Sequence, residues 1–169
     1  MSVVGLRHIV LVMLCVGLSL ACSRGHSSSS DRTGSSGGSV PSVANAANVH
    51  AEPIISAGSP PRPTSLVTKD LVVGTGATAA AANTVTVQYV GANYADGKDF
   101  DSSWQRGQPA TFRLSGTVAG FGQGIAGMKA GGRREIVIPP ALGYGATGSP
   151  PAVSPNETLV FVVDLLSTQ

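Results

Sequence analysis

The three histidines, His8, His26 and His50, and the two cysteines, Cys15 and Cys22, all fall within the first 50 residues. The rest of the chain has no imidazole and no thiol. A Ser-His-Asp or Cys-His relay cannot be built there, nor can a zinc site of the usual nitrogen and sulfur ligands. No cofactor and no metal are expected. The stretch Gly122-Gln123-Gly124-Ile125-Ala126-Gly127 matches the glycine pattern of a dinucleotide site. That site needs a preceding parallel strand and an acidic residue ~20 positions on; the residue there is Thr147. What the second part does hold is every aromatic residue: Tyr89, Tyr94, Phe100, Trp104, Phe112, Phe121, Tyr144 and Phe161. Polar groups sit among them. Asp101 follows Phe100, and Tyr144 lies between Gly143 and Gly145, where its hydroxyl could face a cavity. Apolar pockets with a few convergent polar groups are the ordinary form of a ligand site. The same rings would serve equally well to fill a small core.

The elements that must position these residues read mostly as strands. Val85, Val87 and Tyr89 alternate with polar residues from Thr84, so one face of that strand is buried. Asp96-Gly97 is a turn signal. Ala110, Phe112 and Leu114 alternate again, as do Arg134, Ile136 and Ile138 before Pro139-Pro140. Leu71-Val72-Val73 reads as a first strand, and the apolar run from Thr158 to Leu166 as a central one. Arg133 and Arg134 read as a solvated strand edge, and Trp104 as an exposed or rim aromatic. One short helix is expected over Gly120–Met128, with Phe121, Ile125 and Met128 on one face. Its glycines make it weak in isolation, so packing must hold it. The expected class is α+β: a curled antiparallel sheet of about five strands wrapped around one short α-helix.

The N-terminal third reads differently. Arg7 and His8 close a short basic region, and Ile9 to Ala21 is apolar apart from Ser19. This run is short for a bilayer span, which takes ~20 residues, and it suits a signal peptide over residues 1–21. Leu18-Ser19-Leu20-Ala21-Cys22 resembles a bacterial lipobox, with Ser19 where an aliphatic residue is usual, and implies acylation of Cys22. Plain cleavage after Ala21, giving a soluble secreted protein, and an uncleaved anchor are the alternatives. Residues 22–64, with Ser27 to Ser30, Gly34 to Gly38 and Pro60-Pro61-Arg62-Pro63, have no hydrophobic period. They read as a lipid-anchored disordered linker. The expected location is a membrane surface facing the periplasm or the cell exterior, with the lipid as the only membrane contact. Cys15 would leave with the signal, so Cys22 has no disulfide partner. The net charge of +2 comes with scattered Lys and Arg, which argues against a nucleic-acid partner. The folded part is placed at residues 65–169 and is expected to be monomeric.

Across that part the sequence resembles the FKBP family of peptidyl-prolyl cis-trans isomerases. The resemblance is carried by Val87-Gln88-Tyr89-Val90-Gly91, Asp96-Gly97-Lys98-Asp99-Phe100-Asp101-Ser102-Ser103, the stretch Val118 to Gly131, Ile138-Pro139-Pro140, Leu142-Gly143-Tyr144-Gly145-Ala146 and Thr158-Leu159-Val160-Phe161. It implies an apolar pocket between sheet and helix, walled by Tyr89, Phe100, Phe112, Phe121, Tyr144 and Phe161. Phe121 would form the floor, where many relatives have Trp. The Val118 N–H would meet a substrate or macrolide carbonyl. Thr117 beside it falls among the substrate-binding positions, and Val153 would be an aliphatic wall. Asp101 and Tyr144 would be the polar contacts, with Arg106 holding Asp101. The sequence departs from the family at Ala110, Ala152, Ser149 and the short segment Ser115-Gly116-Thr117, which bears on macrolide affinity and substrate preference.

The implied partners are proline-containing polypeptides and macrolide inhibitors. The implied activity is rotation of X–Pro bonds in exported proteins. That reaction meets a resonance barrier of ~18–20 kcal/mol and needs neither nucleophile nor metal, in keeping with the residues missing here. The alternatives are a chaperone or adhesin module that grips Pro-containing segments with little catalysis, and a surface lipoprotein whose fold is incidental.

Overall fold

The computed structural model describes residues 39–169. The expected signal peptide, the acylation site Cys22 and the first part of the linker lie outside the described residues. Two short strands, β1 (Val43–Ala44) and β2 (Ile54–Ile55), pair with each other. They precede β3 (Val67–Val72), β4 (Thr84–Asn93), β5 (Asp99–Ser102), β6 (Ala110–Arg113), the helix α1 (Ala119–Ile125), β7 (Arg133–Ile138) and β8 (Leu159–Thr168). The main sheet is antiparallel with strand order β3-β7-β8-β4-β5, and β6 pairs with the first half of β4. Among the described residues, the α+β class and the single short α-helix are as expected. Six strands take the place of about five, because Asp99–Ser102 adds a short strand after the Asp96-Gly97 turn.

Period-two alternation divides the sheet into two faces. On the first, Val85, Val87 and Tyr89 of β4, Ile136 and Ile138 of β7, and Leu159, Phe161, Val163 and Leu165 of β8 pack with Phe121, Ile125 and Met128. The helix glycines, a weakness when judged from propensity alone, have a packing reason. A Cβ on Gly120 would collide with the Ile138 side chain, and one on Gly124 would lie 2.5 Å from Ile136 Cγ2. The helix can rest on β7 only because these positions lack side chains.

The second face corrects the expectation of a disordered linker reaching residue 64. Residues 39–59 form an ordered arm whose Val40, Val43 and Ile55 pack with Val90, Ala92, Tyr94, Val137, Val160 and Val162. The Tyr94 hydroxyl donates to the Ser39 carbonyl at 2.6 Å or the Ser59 carbonyl at 2.8 Å. Arg133, fully buried, donates to the Asn45 carbonyl at 2.6 Å and the Ala51 carbonyl at 3.0 Å. The apolar back of the sheet supplies the burial that the arm's own composition lacks.

The reading of Arg133 and Arg134 as a solvated edge is likewise overturned, because β7 lies inside the sheet between β3 and β8. Arg133 pairs with Asp164, its Nε 2.5 Å from Oδ1. Arg134 binds Asp70 at 2.6 Å and donates to the Gly124 carbonyl at 2.9 Å, tying the end of α1 to the sheet. Trp104 is half-buried against the second face.

Candidate active site

Where β4, β5, β6 and β8 curl past the start of α1, a cavity of about 300 Å³ opens. It is lined by Tyr89, Phe100, Asp101, Phe112, Gly116, Thr117, Val118, Phe121, Tyr144 and Phe161. Phe121 is only 4% exposed. Its ring meets Phe161 at 5.0 Å, Phe112 at 5.6 Å and Tyr89 at 6.2 Å between centroids, each edge to face. Phe100 meets Phe161 edge-on at 5.5 Å. Such arrangements are favoured by ring quadrupoles and hold the rings rigidly. Gly91 permits them: a Cβ there would lie 2.7 Å from Phe161 and 2.9 Å from Phe100.

The polar groups sit at the rim. The Tyr89 hydroxyl donates to Asp101 Oδ2 at 2.5 Å and accepts from Arg106 at 2.8 Å. Arg106 also binds the other Asp101 oxygen and lies over the Tyr89 ring at 5.4 Å. Burial, with the Asp101 hydrogen bond, pushes the Tyr89 hydroxyl up to about 12, against the opposing effect of Arg106. Tyr89 therefore stays a proton donor at neutral pH. The Arg106 guanidinium is raised in turn by its hydrogen bond to Tyr89 and then by Asp101. The Arg106 and Asp101 side chains are 44% and 42% exposed, so water screens the pair and it adds little to stability. Its consequence is positional: it fixes one Asp101 edge and the Tyr89 ring at the pocket mouth.

Val118 stands just before α1 with extended backbone angles. The first helical bonds run from the Phe121 and Gly122 N–H groups to the Val118 carbonyl, so the Val118 N–H is not used by the helix. The Thr117 hydroxyl donates back to the Leu114 carbonyl at 2.8 Å, bracing the turn that presents Val118. Tyr144 also lines the pocket and is 39% exposed.

The structure thus brings together Tyr89, Phe100, Asp101, Phe112, Thr117, Val118, Phe121, Tyr144 and Phe161, with Arg106 behind Asp101. Val153 is not among the residues that line the cavity; it is buried in the same apolar cluster as Tyr89, Phe121 and Phe161 and bridged to Ser149. Gly116 lines the pocket without carrying any chemical signal in its type. A larger cleft of about 500 Å³ between Arg62–Thr64 and Pro139–Ala141 holds none of these groups.

The site is a preformed aromatic pocket with polar groups at its rim, on an antiparallel sheet curled over one short helix, which is the ordinary form of a ligand site. The sequence profile of the FKBP-type peptidyl-prolyl cis-trans isomerase family matches residues 76–166, and the chain belongs to that family. It is 50% identical over 107 residues to a probable FK506-binding protein of Corynebacterium glutamicum, covering 63% of this chain and 90% of that one. It is 43% identical over 106 residues to the isomerase FkpA of Escherichia coli, of which it spans 38%. Among solved structures, FkpA from Escherichia coli superposes with a TM-score of 0.59 over 63% of this chain and 49% of that one. AtFKBP13, 34% identical, superposes with a TM-score of 0.57 over 62% of this chain and 93% of that one.

Proposed function

We propose that this chain is an exported, membrane-tethered isomerase that speeds rotation of X–Pro bonds in exported polypeptides and so assists their folding. The observation that carries the catalytic part is the pocket built on Phe121. A planar X–Pro amide is more polar than the twisted one, so an apolar enclosure disfavours the ground state relative to the transition state. The prolyl ring enters between Phe121, Phe161 and Tyr89. The Val118 N–H and the Tyr144 hydroxyl receive substrate carbonyls, acting as preorganised donors. Each tenfold of rate requires only ~1.4 kcal/mol from the barrier, and no bond to the enzyme is made. The same contacts suit a macrolide bearing a proline-like ring. Export is supported by the apolar run Ile9–Ala21 and tethering by Ala21-Cys22, with residues 23–38 left as the spacer.

The test is a protease-coupled assay with a short X–Pro peptide. The mature protein is expected to accelerate the slow phase, and Phe121→Ala to lower kcat/KM by about tenfold while the fold persists. Folded protein giving only the thermal rate would sink the enzyme reading. Mass spectrometry of the mature N-terminus decides the anchor: an unmodified Cys22 removes it.

A further inference from the structure

The family match begins at residue 76, so the ordered arm of residues 39–59 precedes it. The arm covers the sheet face opposite the pocket, yet one of its side chains reaches the strand that carries two pocket residues. Glu52 Oε1 accepts a hydrogen bond from the Ser102 hydroxyl at 2.9 Å. Ser102 is the last residue of β5, immediately after Phe100 and Asp101, and is 4% exposed. The Ser102 oxygen in turn accepts the Gln105 N–H at 3.2 Å. Gln105 precedes Arg106, whose guanidinium holds Asp101 and the Tyr89 hydroxyl. The turn between β5 and Arg106 is therefore pinned at its start by a carboxylate from the arm. That carboxylate lies close enough to β5 to help burial raise the Asp99 carboxyl.

We propose that Glu52 is a positioning residue for the isomerase site, acting through Ser102 and the turn to Gln105 to hold Arg106 on Asp101 and Tyr89. The proposal rests on the reading of the pocket as an isomerase site. Ordering the turn in advance matters because Arg106 is long, half-exposed and rich in rotamers. Without a fixed origin its guanidinium samples solvent, and Tyr89 and Asp101 lose their common partner. A hydrogen bond to a charged acceptor is among the stronger ones, so the link can hold a surface turn in one conformation. The other arm contacts, from Arg133 to Asn45 and Ala51 and from Tyr94 to Ser39 and Ser59, keep Glu52 at its station.

The experiment is a double-mutant cycle on the mature chain, read as kcat/KM with the X–Pro peptide. Glu52→Ala and Ser102→Ala are each expected to lower kcat/KM by about threefold to tenfold, within the range of one hydrogen bond's net contribution. Glu52→Gln, which keeps an acceptor oxygen for Ser102, is expected to retain most of the activity. Combined with Arg106→Ala, the Glu52→Ala loss is expected to vanish, because coupled residues are not additive. Trp104 is the only tryptophan and lies in the pinned turn, so its emission is expected to shift in Glu52→Ala and not in Glu52→Gln. Should Glu52→Ala fail to fold, Ser102→Ala decides. Folded Glu52→Ala and Ser102→Ala with unchanged kcat/KM overturn the proposal, as do losses that simply multiply with that of Arg106→Ala. A parent chain without isomerase activity defeats the reading of the pocket instead, and the Trp104 emission, which needs no turnover, then judges the link.

Discussion

Glu135 lies on β7 between Arg133 and Val137, on the sheet face covered by the arm. It is 1% exposed, and neither carboxylate oxygen has a hydrogen-bond partner among the described residues. Burial pushes its carboxyl from 4.5 up to about 7, with Lys69, its cross-strand neighbour on β3, pulling weakly the other way. Other charged groups near that face are the Arg133–Asp164 pair, with His50 of the arm acting on Asp164, and Asp99 of β5, whose carboxyl is raised by burial and then by Glu52 of the arm. Between about pH 4.5 and 7 the native state holds a proton on Glu135 that the unfolded chain has released. Stability contributed by the neutral carboxyl is therefore complete below about pH 4.5 and is lost as pH rises through about 7. At ~1.4 kcal/mol per pKa unit the whole loss is roughly 3 kcal/mol, or on the order of ten degrees in Tm for a domain of this size.

Glu135→Gln removes the titration while keeping the shape. Thermal unfolding followed by far-UV circular dichroism from about pH 5 to 8 is expected to show the parent melting progressively earlier than the Gln variant as pH rises. A smaller residual slope is expected in the variant. Burial also raises the Asp164 carboxyl, against the lowering by Arg133, and that effect has the same sign. Parallel pH profiles for parent and variant would refute the assignment of the buried charge to Glu135.

Two further substitutions test the packing on each face. Gly124→Ala gains ~1 kcal/mol of helix propensity but places a Cβ 2.5 Å from Ile136 Cγ2. Overpacking of ~1–3 kcal/mol is expected to win, lowering the midpoint of urea unfolding; a raised midpoint would show that α1 can lift off β7. Arg133→Ala leaves the Asp164 carboxylate buried without its partner, a loss of ~3–5 kcal/mol, and strips the arm of its anchors at Asn45 and Ala51. Limited proteolysis is expected to cut the arm before the rest of the domain unfolds, and an arm as resistant as in the parent would count against its being held by Arg133.

The sheet was legible wherever alternation was long enough to count. Val85 to Tyr89 and Ile136 to Ile138 each mark a strand with a buried face, and Ala110 to Arg113 one with a half-buried face, Leu114 turning into a short 3-10 helix. β5 has four residues, two of them Asp, and its turn could be read where its strand could not. The arm carried no such signal. Its apolar residues are few and irregularly spaced, and its strongest ties are main-chain carbonyls accepting from Arg133, which any sequence could provide. The error at Arg133 and Arg134 has the same root. Alternation assigns residues to a face, but what covers that face is decided by another segment. For the pocket, residue types alone left open whether eight aromatics fill a core or line a cavity. Both hold: Phe121 and Phe161 are nearly as buried as core residues and still present ring surface to the cavity. The ordered motif blocks, not periodicity, separated lining residues from core residues.

The two faces of this sheet meet different physical demands. The pocket face must stay apolar and rigid yet open, and interlocked rings achieve this without charge. The arm face buries an ion pair and a lone carboxyl, which an open sheet face would leave in water. β5 belongs to both: Phe100 and Asp101 look into the pocket while Ser102 is held from the arm. An edge strand of four residues has few ladder bonds of its own, so its position depends on what grips it from behind. A shortened chain beginning near Leu66 would keep every pocket residue and yet expose Arg133, Asp164 and Glu135 to solvent and free Ser102. Its aromatic floor would be expected to persist, and any change in activity would then arise at the Asp101–Arg106 rim, where the arm's support ends.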